Sequence, residues 1–254
     1  MDNFKQHDFS NYTVLDSSPV RGTGSISRKF MSGVFSWMFA ALGISALFAV
    51  LFASNTSLLG YLYNVTPEGT KLGLLGWIVM LAPLGLMLTI SFAWQRMSAS
   101  LVTLLFVLYS AINGISFSFI LLTYTAGSVA ACFATAAIMF GVMAVMGYTT
   151  DKDLTSFGSM LTMGLVGLFI AMMVNMLLHS SFMDYIISFA GVAIFTGLTA
   201  YDVQKLKRIG AGMEFEGVGA GDSKKLALLG AFTLYLDFIN LFIMLLRLFG
   251  NKRD

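Results

Sequence analysis

Seven stretches of this chain stay apolar for about 20 residues or more, with short polar segments between them. They lie at about 31–53, 72–94, 101–122, 126–147, 157–178, 184–206 and 226–249. Each is long enough to cross ~30 Å of hydrocarbon as a helix. The runs are continuously apolar rather than alternating, so they do not read as the strands of a membrane β-barrel. Gly or charged residues mark most ends, as in Thr149-Thr150-Asp151-Lys152-Asp153. Pro83 falls at the centre of the second span and is expected to kink it.

Composition points the same way. With 57% hydrophobic and 11% charged residues, the chain has too much apolar surface for a soluble domain of its size. The expected fold is all-α, a polytopic seven-transmembrane helix bundle whose principal partner is the lipid bilayer. Residues 1–30 read as a polar cytosolic tail, 31–250 as the membrane domain and 251–254 as a short C-terminal tail. The first 30 residues contain no apolar core, so the first span rather than a cleaved leader is expected to direct insertion. Cys132 is the single cysteine, which leaves no intrachain disulfide. The net charge of +2 gives no sign of a nucleic-acid partner.

Basic residues set the expected orientation. With the N-terminus inside, eleven of them fall on the inner side: Lys5, Arg21, Arg28, Lys29, Arg96, Lys152, Lys205, Lys207, Arg208, Lys224 and Lys225. Four fall outside: Lys71, Arg247, Lys252 and Arg253. The N-terminus is therefore expected in the cytosol and the C-terminus outside, although the basic C-terminus pulls weakly the other way. The segment 207–225 holds Gly210, Gly212, Gly217, Gly219 and Gly221 and is expected to be a flexible inner linker. Its glycines do not have phosphate-loop spacing, and no strand precedes them.

The informative residues are two acids within apolar runs. Asp237 is the only acid between Leu226 and Gly250, and Asp202 lies near the end of the preceding span. A carboxylate at membrane depth costs about 2.5–3.5 kcal/mol, so it usually lines a water path or meets a partner. Adjacent antiparallel spans can make these two acids each other's partner. Depth is the difficulty: Asp237 is about 18 Å of helix from Lys225, and Asp202 only about 9 Å from Arg208. The seventh span must start below the membrane surface, or the sixth must continue past Arg208. Along the seventh span Asp237, Asn240, Met244 and Arg247 fall at i, i+3, i+7 and i+10, loosely one stripe. Arg247 is expected to snorkel outward. Asn113, Asn175 and Asn240 are expected to bond between helices, and Gly158, Gly164 and Gly167 to mark close packing. His179 reads as an interfacial structural residue, and no zinc-type spacing is present.

Several segments resemble one family. They are Tyr201-Asp202 with Gln204-Lys205-Leu206-Lys207, then Leu234-Tyr235-Leu236-Asp237-Phe238-Ile239-Asn240-Leu241-Phe242-Ile243 and Leu246-Arg247. Asn113-Gly114-Ile115 and the run Gly147 to Leu154 (GYTTDKDL) add to them. Together they resemble the Bax inhibitor-1 family, in its bacterial branch, over about residues 30–250. The resemblance implies a central seventh helix ringed by six others and a pH-sensitive calcium leak in the bacterial inner membrane. It also implies that Asp202 and Asp237 share a proton as the pH sensor, and that Arg96 in Trp94-Gln95-Arg96 latches onto them. Tyr201 and Asn240 are the candidate path-lining residues.

Elementary chemistry is compatible with those roles. Two carboxylates in a poorly solvated site cannot both ionise cheaply, so a proton or a cation relieves them. They supply too few oxygens for tight Ca²⁺ binding, which takes about 6–8, so any binding is weak and transient. Ca²⁺ and H⁺ would pass or bind as transported ions, and no cofactor is expected.

No enzymatic activity is expected. An intramembrane aspartyl protease also pairs a Tyr-Asp helix with a second acid. Its second motif is Gly-x-Gly-Asp, however, whereas this chain has Tyr235-Leu236-Asp237 and no proline after Pro83. A retinal receptor needs a lysine in the last span, which has none. The competing expectation is a non-conducting regulator of stress or proteolysis that binds another membrane protein through the N-terminal tail.

Overall fold

The computed structural model describes residues 25–66, 69–216 and 220–253, so most of the polar tail lies outside the described residues. Its helices are α1 (Ser25–Ser54), α2 (Thr56–Leu62), α3 (Leu74–Ala93), α4 (Ala99–Thr123), α5 (Ala126–Thr149), α6 (Thr155–Leu178), α7 (Ser181–Glu216) and α8 (Ala220–Phe249). All except the short α2 are long and apolar enough to cross a membrane, which makes seven candidate spans. The protein is a seven-helix membrane bundle. A small hairpin interrupts it: strands β1 (Tyr63–Thr66) and β2 (Gly69–Leu72) pair antiparallel, with Tyr63 opposite Leu72. The apolar pattern gave no sign of this hairpin, because its strands are mostly polar and too short to alternate.

Local chemistry explains several boundaries. Asn55, Ser98 and Thr125 turn their side-chain oxygens onto backbone N–H groups at the starts of α2, α4 and α5. α6 ends at His179, whose left-handed backbone (φ 51°) lets its N–H reach the Asn175 carbonyl. Pro83 sits inside α3, which runs through it as one helix.

The flexible linker expected at 207–225 is largely absent. α7 continues to Glu216 and α8 begins at Ala220, leaving only residues 217–219 outside the described residues. At 36 residues α7 spans about 54 Å, well beyond ~30 Å of hydrocarbon. Its charged end therefore extends past the apolar run while still burying Ile209, Ala211 and Met213, and a run-length reading does not reveal it. The extension also removes the depth mismatch: Asp202 and Asp237 stand about 21 Å and about 26 Å from the ends of their helices that meet at 217–219.

α8 forms the centre. In its most apolar stretch 72% of the residues are buried, against 11% in α3 and in α6. It packs on α1, α4, α5 and α7. Two glycines permit close approaches: a Cβ at Gly114 of α4 would collide with the Ser45 backbone of α1, and one at Gly147 of α5 with the Ala200 backbone of α7. Gly158 also packs tightly, but Gly164 has only ordinary contact and Gly167 faces open space, so only part of the expected glycine stripe is an interface.

The C-terminal tail folds back on the α4–α5 turn. Thr125 N–H donates to the Asn251 carbonyl (3.0 Å) and Arg253 N–H to that of Thr123 (2.8 Å). The first turns of α1 instead touch the far end of α7, where Gly210 faces Phe30 and Ser27. The two ends of the described chain therefore lie at opposite ends of the bundle, as an odd number of crossings requires.

Candidate functional site: the seam between α7 and α8

α7 and α8 run antiparallel, and the stripe on α8 lies along α7. Asp237 meets Asp202, with their carboxyl groups within side-chain hydrogen-bonding reach. Met244 lies over Gly191, where an added Cβ would meet its sulfur at 2.8 Å. Arg247 pairs with Asp184 at 3.5 Å. Moving along α8 toward its C-terminal end, from Asp237 to Met244 to Arg247, thus moves back along α7 from Asp202 to Gly191 to Asp184. The expected snorkelling of Arg247 ends in an ion pair.

Asp237 is 5% exposed, whereas Asp202 is only partly buried. One Asp237 oxygen, Oδ2, is buried without a hydrogen-bond partner among the described residues. Ionised carboxylates only accept, so two that face each other leave an oxygen unsatisfied unless one carries a proton or a cation enters between them. Thr196 Oγ1, on the same helix as Asp202, is also buried without a hydrogen-bond partner among the described residues. Lys205 follows Asp202 by about one turn along α7.

The remaining candidates divide. Arg96 ends the 3₁₀ turn after α3, is exposed, and has no ion pair or hydrogen bond to either aspartate among the described residues. The same turn meets a different cation: Lys225 donates to the Gln95 carbonyl (3.1 Å) and lies over the Trp94 ring. Tyr201 lies against Gly158 of α6, filling the space a Cβ would take. Asn240 is partly buried and makes no interhelical hydrogen bond among the described residues.

Asn113 does bond across helices, donating to the Tyr235 hydroxyl at 2.9 Å. Asn175 does not: its side chain accepts from Ser180 N–H (3.1 Å) and closes its own helix, because the left-handed turn at His179 brings that N–H back.

Sequence reasoning missed two polar anchors flanking the seam. Gln204, 5% exposed, donates to the Lys152 carbonyl (2.7 Å) and accepts from Leu154 N–H (2.9 Å) in the α5–α6 loop. Arg208 adds bonds to Asp153 (2.7 Å) and Thr155 (3.1 Å). Asp153 is held at about 2, mainly by the Thr155 hydroxyl, then by the Thr155 N–H and Arg208. The second anchor is Tyr235, whose hydroxyl also meets Ser45 Oγ (2.7 Å), while Ser45 donates to the Ser110 carbonyl (2.8 Å). Since Ser45 has one proton and spends it on Ser110, Tyr235 donates to Ser45 and accepts from Asn113. Gln204 and Tyr235 both lie in the segments that carry the family resemblance, but residue type alone did not announce their contacts.

Comparison with known proteins agrees with this architecture. The family model described as "Inhibitor of apoptosis-promoting Bax1" matches residues 27–254. The chain is 42% identical over 226 residues to the inner membrane protein YbhL of Escherichia coli strain K12, covering 89% of this chain and 93% of that one. An uncharacterized protein of Borreliella burgdorferi is 40% identical over 90% of this chain and 94% of its own length. One of Rickettsia prowazekii is 39% identical over 89% and 91%. A family match over nearly the whole chain, joined to a seven-helix bundle with a central last helix, places this protein in the Bax inhibitor-1 family.

Proposed function

We propose that this protein is a pH-sensitive cation leak, with Ca²⁺ as the ion and the Asp202–Asp237 pair as the element that reads pH. The observation that carries the reading is Asp237: a buried acid at membrane depth, facing a second acid and with one oxygen unpartnered. Packing gives no reason to keep two acids at one helix seam, since a charge at the bilayer centre costs about 2.5–3.5 kcal/mol. A shared proton relieves that cost. Loss of the proton sets like charges against each other across the seam and favours an arrangement in which a cation or water enters.

The path is assigned to the α8 stripe beyond the pair, past Asn240, and Met244 against Gly191 closes it. Tyr201 is assigned to packing on α6. Arg96 remains the proposed latch, but it acts in an arrangement other than the one described, because here it meets neither aspartate. Ca²⁺ binding at two carboxylates is weak, which suits a leak better than a buffer. The relation to an E. coli inner membrane protein supports a place in a bacterial inner membrane, with the N-terminus cytosolic by the distribution of basic residues.

Purified protein alone in liposomes, assayed for Ca²⁺ entry across a pH series, tests this reading. Entry that varies with pH is expected. No entry at any pH would contradict it and favour a non-conducting regulator.

A further inference from the structure

Each aspartate of the seam has a polar side chain two residues away that is bonded to a different part of the bundle. On α7 the pair is Asp202 and Gln204; on α8 it is Asp237 and Tyr235. Two residues turn a helix by about 200°, so each anchor grips the side of its helix facing away from the seam.

The grips hold separate groups of helices. Gln204 is bonded at both ends of its amide to the α5–α6 loop, donating to the Lys152 carbonyl and accepting from Leu154 N–H. Around it Ala200 presses on Gly147 of α5, Tyr201 on Gly158 of α6, and Lys207 donates to the Tyr148 carbonyl (2.7 Å). Tyr235 is bonded to Ser45 of α1 and Asn113 of α4, within a cluster of edge-on rings that includes Phe106, Tyr109 and Phe232. The hydrogen bonds of Gln204 thus tie α7 to the α5–α6 loop, whereas those of Tyr235 tie α8 to α1 and α4.

We infer that Gln204 and Tyr235 are positioning residues for the Asp202–Asp237 pair, each fixing the height and rotation of one aspartate's helix from its far side. A side-chain amide bonded twice to backbone resists both sliding and rotation of α7. The hydrogen-bond chain from Asn113 through Tyr235 and Ser45 to the Ser110 carbonyl does the same for α8. Aspartates on helices free to turn by a small angle would lose each other, because carboxyl groups interact strongly only within a few ångströms. The inference rests on the proposed role of the pair for its importance, but its test needs no transport.

The test is thiol cross-linking between positions 202 and 237 in the full-length protein in liposomes, using Asp202→Cys, Asp237→Cys in a Cys132→Ala background. With the anchors intact, mercuric ion, which bridges two thiols too far apart for the ~3.8 Å Cβ separation of a disulfide, should cross-link the two positions rapidly. Adding Gln204→Leu or Tyr235→Phe should slow cross-linking by roughly tenfold, the weight of about two net hydrogen bonds. Gln204→Glu keeps the acceptor and loses the donor, so it should give an intermediate rate and serves if Gln204→Leu does not fold. Thr199→Val removes a hydroxyl bonded only within its own helix, to the Phe195 carbonyl, and should leave the rate unchanged. Parental rates in the anchor variants, or equal slowing by Thr199→Val, would overturn the proposal. A parent that fails to cross-link would overturn it together with the pairing of the aspartates. Absent Ca²⁺ flux with normal cross-linking would instead count against the transport reading alone.

Discussion

Met244 on α8 lies across Gly191 on α7, between the aspartates and the Arg247–Asp184 ion pair. It is the bulkiest group on the stripe between the two charged contacts. Leu168 of α6 borders the same space and would lie 3.4 Å from a Cβ at position 191. A flexible thioether filling a glycine notch can move aside more readily than a branched or aromatic side chain.

Truncating that plug should loosen the seam. Met244→Ala is expected to cost about 2–5 kcal/mol of stability and to raise Ca²⁺ entry into liposomes at neutral pH by roughly threefold or more. Met244→Leu, close in volume, should stay near the parental flux. Equal flux in all three proteins would move the path away from this seam.

Asp153 allows a prediction about where the pH response does not arise. Its carboxyl is lowered from 3.8 to about 2 by Thr155 and Arg208, so the loop anchor gains stability above the ordinary carboxylate value. That stability is lost only as pH falls from about 4 through about 2. Both partners are largely exposed, so the contribution is small. Asp153→Asn should therefore leave the pH dependence of Ca²⁺ entry between about pH 5 and 8 unchanged. A flattened profile in that range would make the loop part of the sensor.

Arg96 tests the latch. If another arrangement brings it to the ionised pair, Arg96→Ala should displace the pH dependence of Ca²⁺ entry while leaving detergent-solubilised protein monodisperse. An unchanged profile would reduce Arg96 to one of the inner positive charges.

Orientation is open to direct labelling in the Cys132→Ala background. With the N-terminus cytosolic, Lys152→Cys and Lys224→Cys should react with an impermeant thiol reagent only from the cytosolic side, and Lys252→Cys only from outside. Reaction of Lys252→Cys from the cytosolic side alone would refute the proposed orientation.

Most of the fold was legible because lipid-facing helices must be apolar along their whole length, and seven such runs are visible in the sequence. The end of α7 was not, because residues 207–216 are charged and glycine-bearing like a loop although they continue the helix. The aspartate pair stood out as isolated acids in apolar runs, and their depth mismatch left two solutions open, of which the structure takes the continuation of α7 past Arg208. Gln204 and Tyr235 were hidden for a different reason. Gln204 bonds to backbone atoms of Lys152 and Leu154, and Tyr235 reaches a serine 190 residues away, so no pattern of residue types announces either contact. Asn175 misled for a related reason: the same amide that can bridge helices can close its own helix end, and only the backbone at His179 decides which.

The central claim is that Asp202 and Asp237 act as one proton-sharing unit. The most direct measurement is the pH profile of Ca²⁺ entry into liposomes for Asp202→Asn, Asp237→Asn and the double variant, each reconstituted alone. Either single change removes one ionisable group while nearly preserving shape, so each should flatten the profile, and the double variant should add little to either. Additive effects, with each single variant keeping part of the response, would contradict the shared proton, as would a parental flux that does not vary with pH.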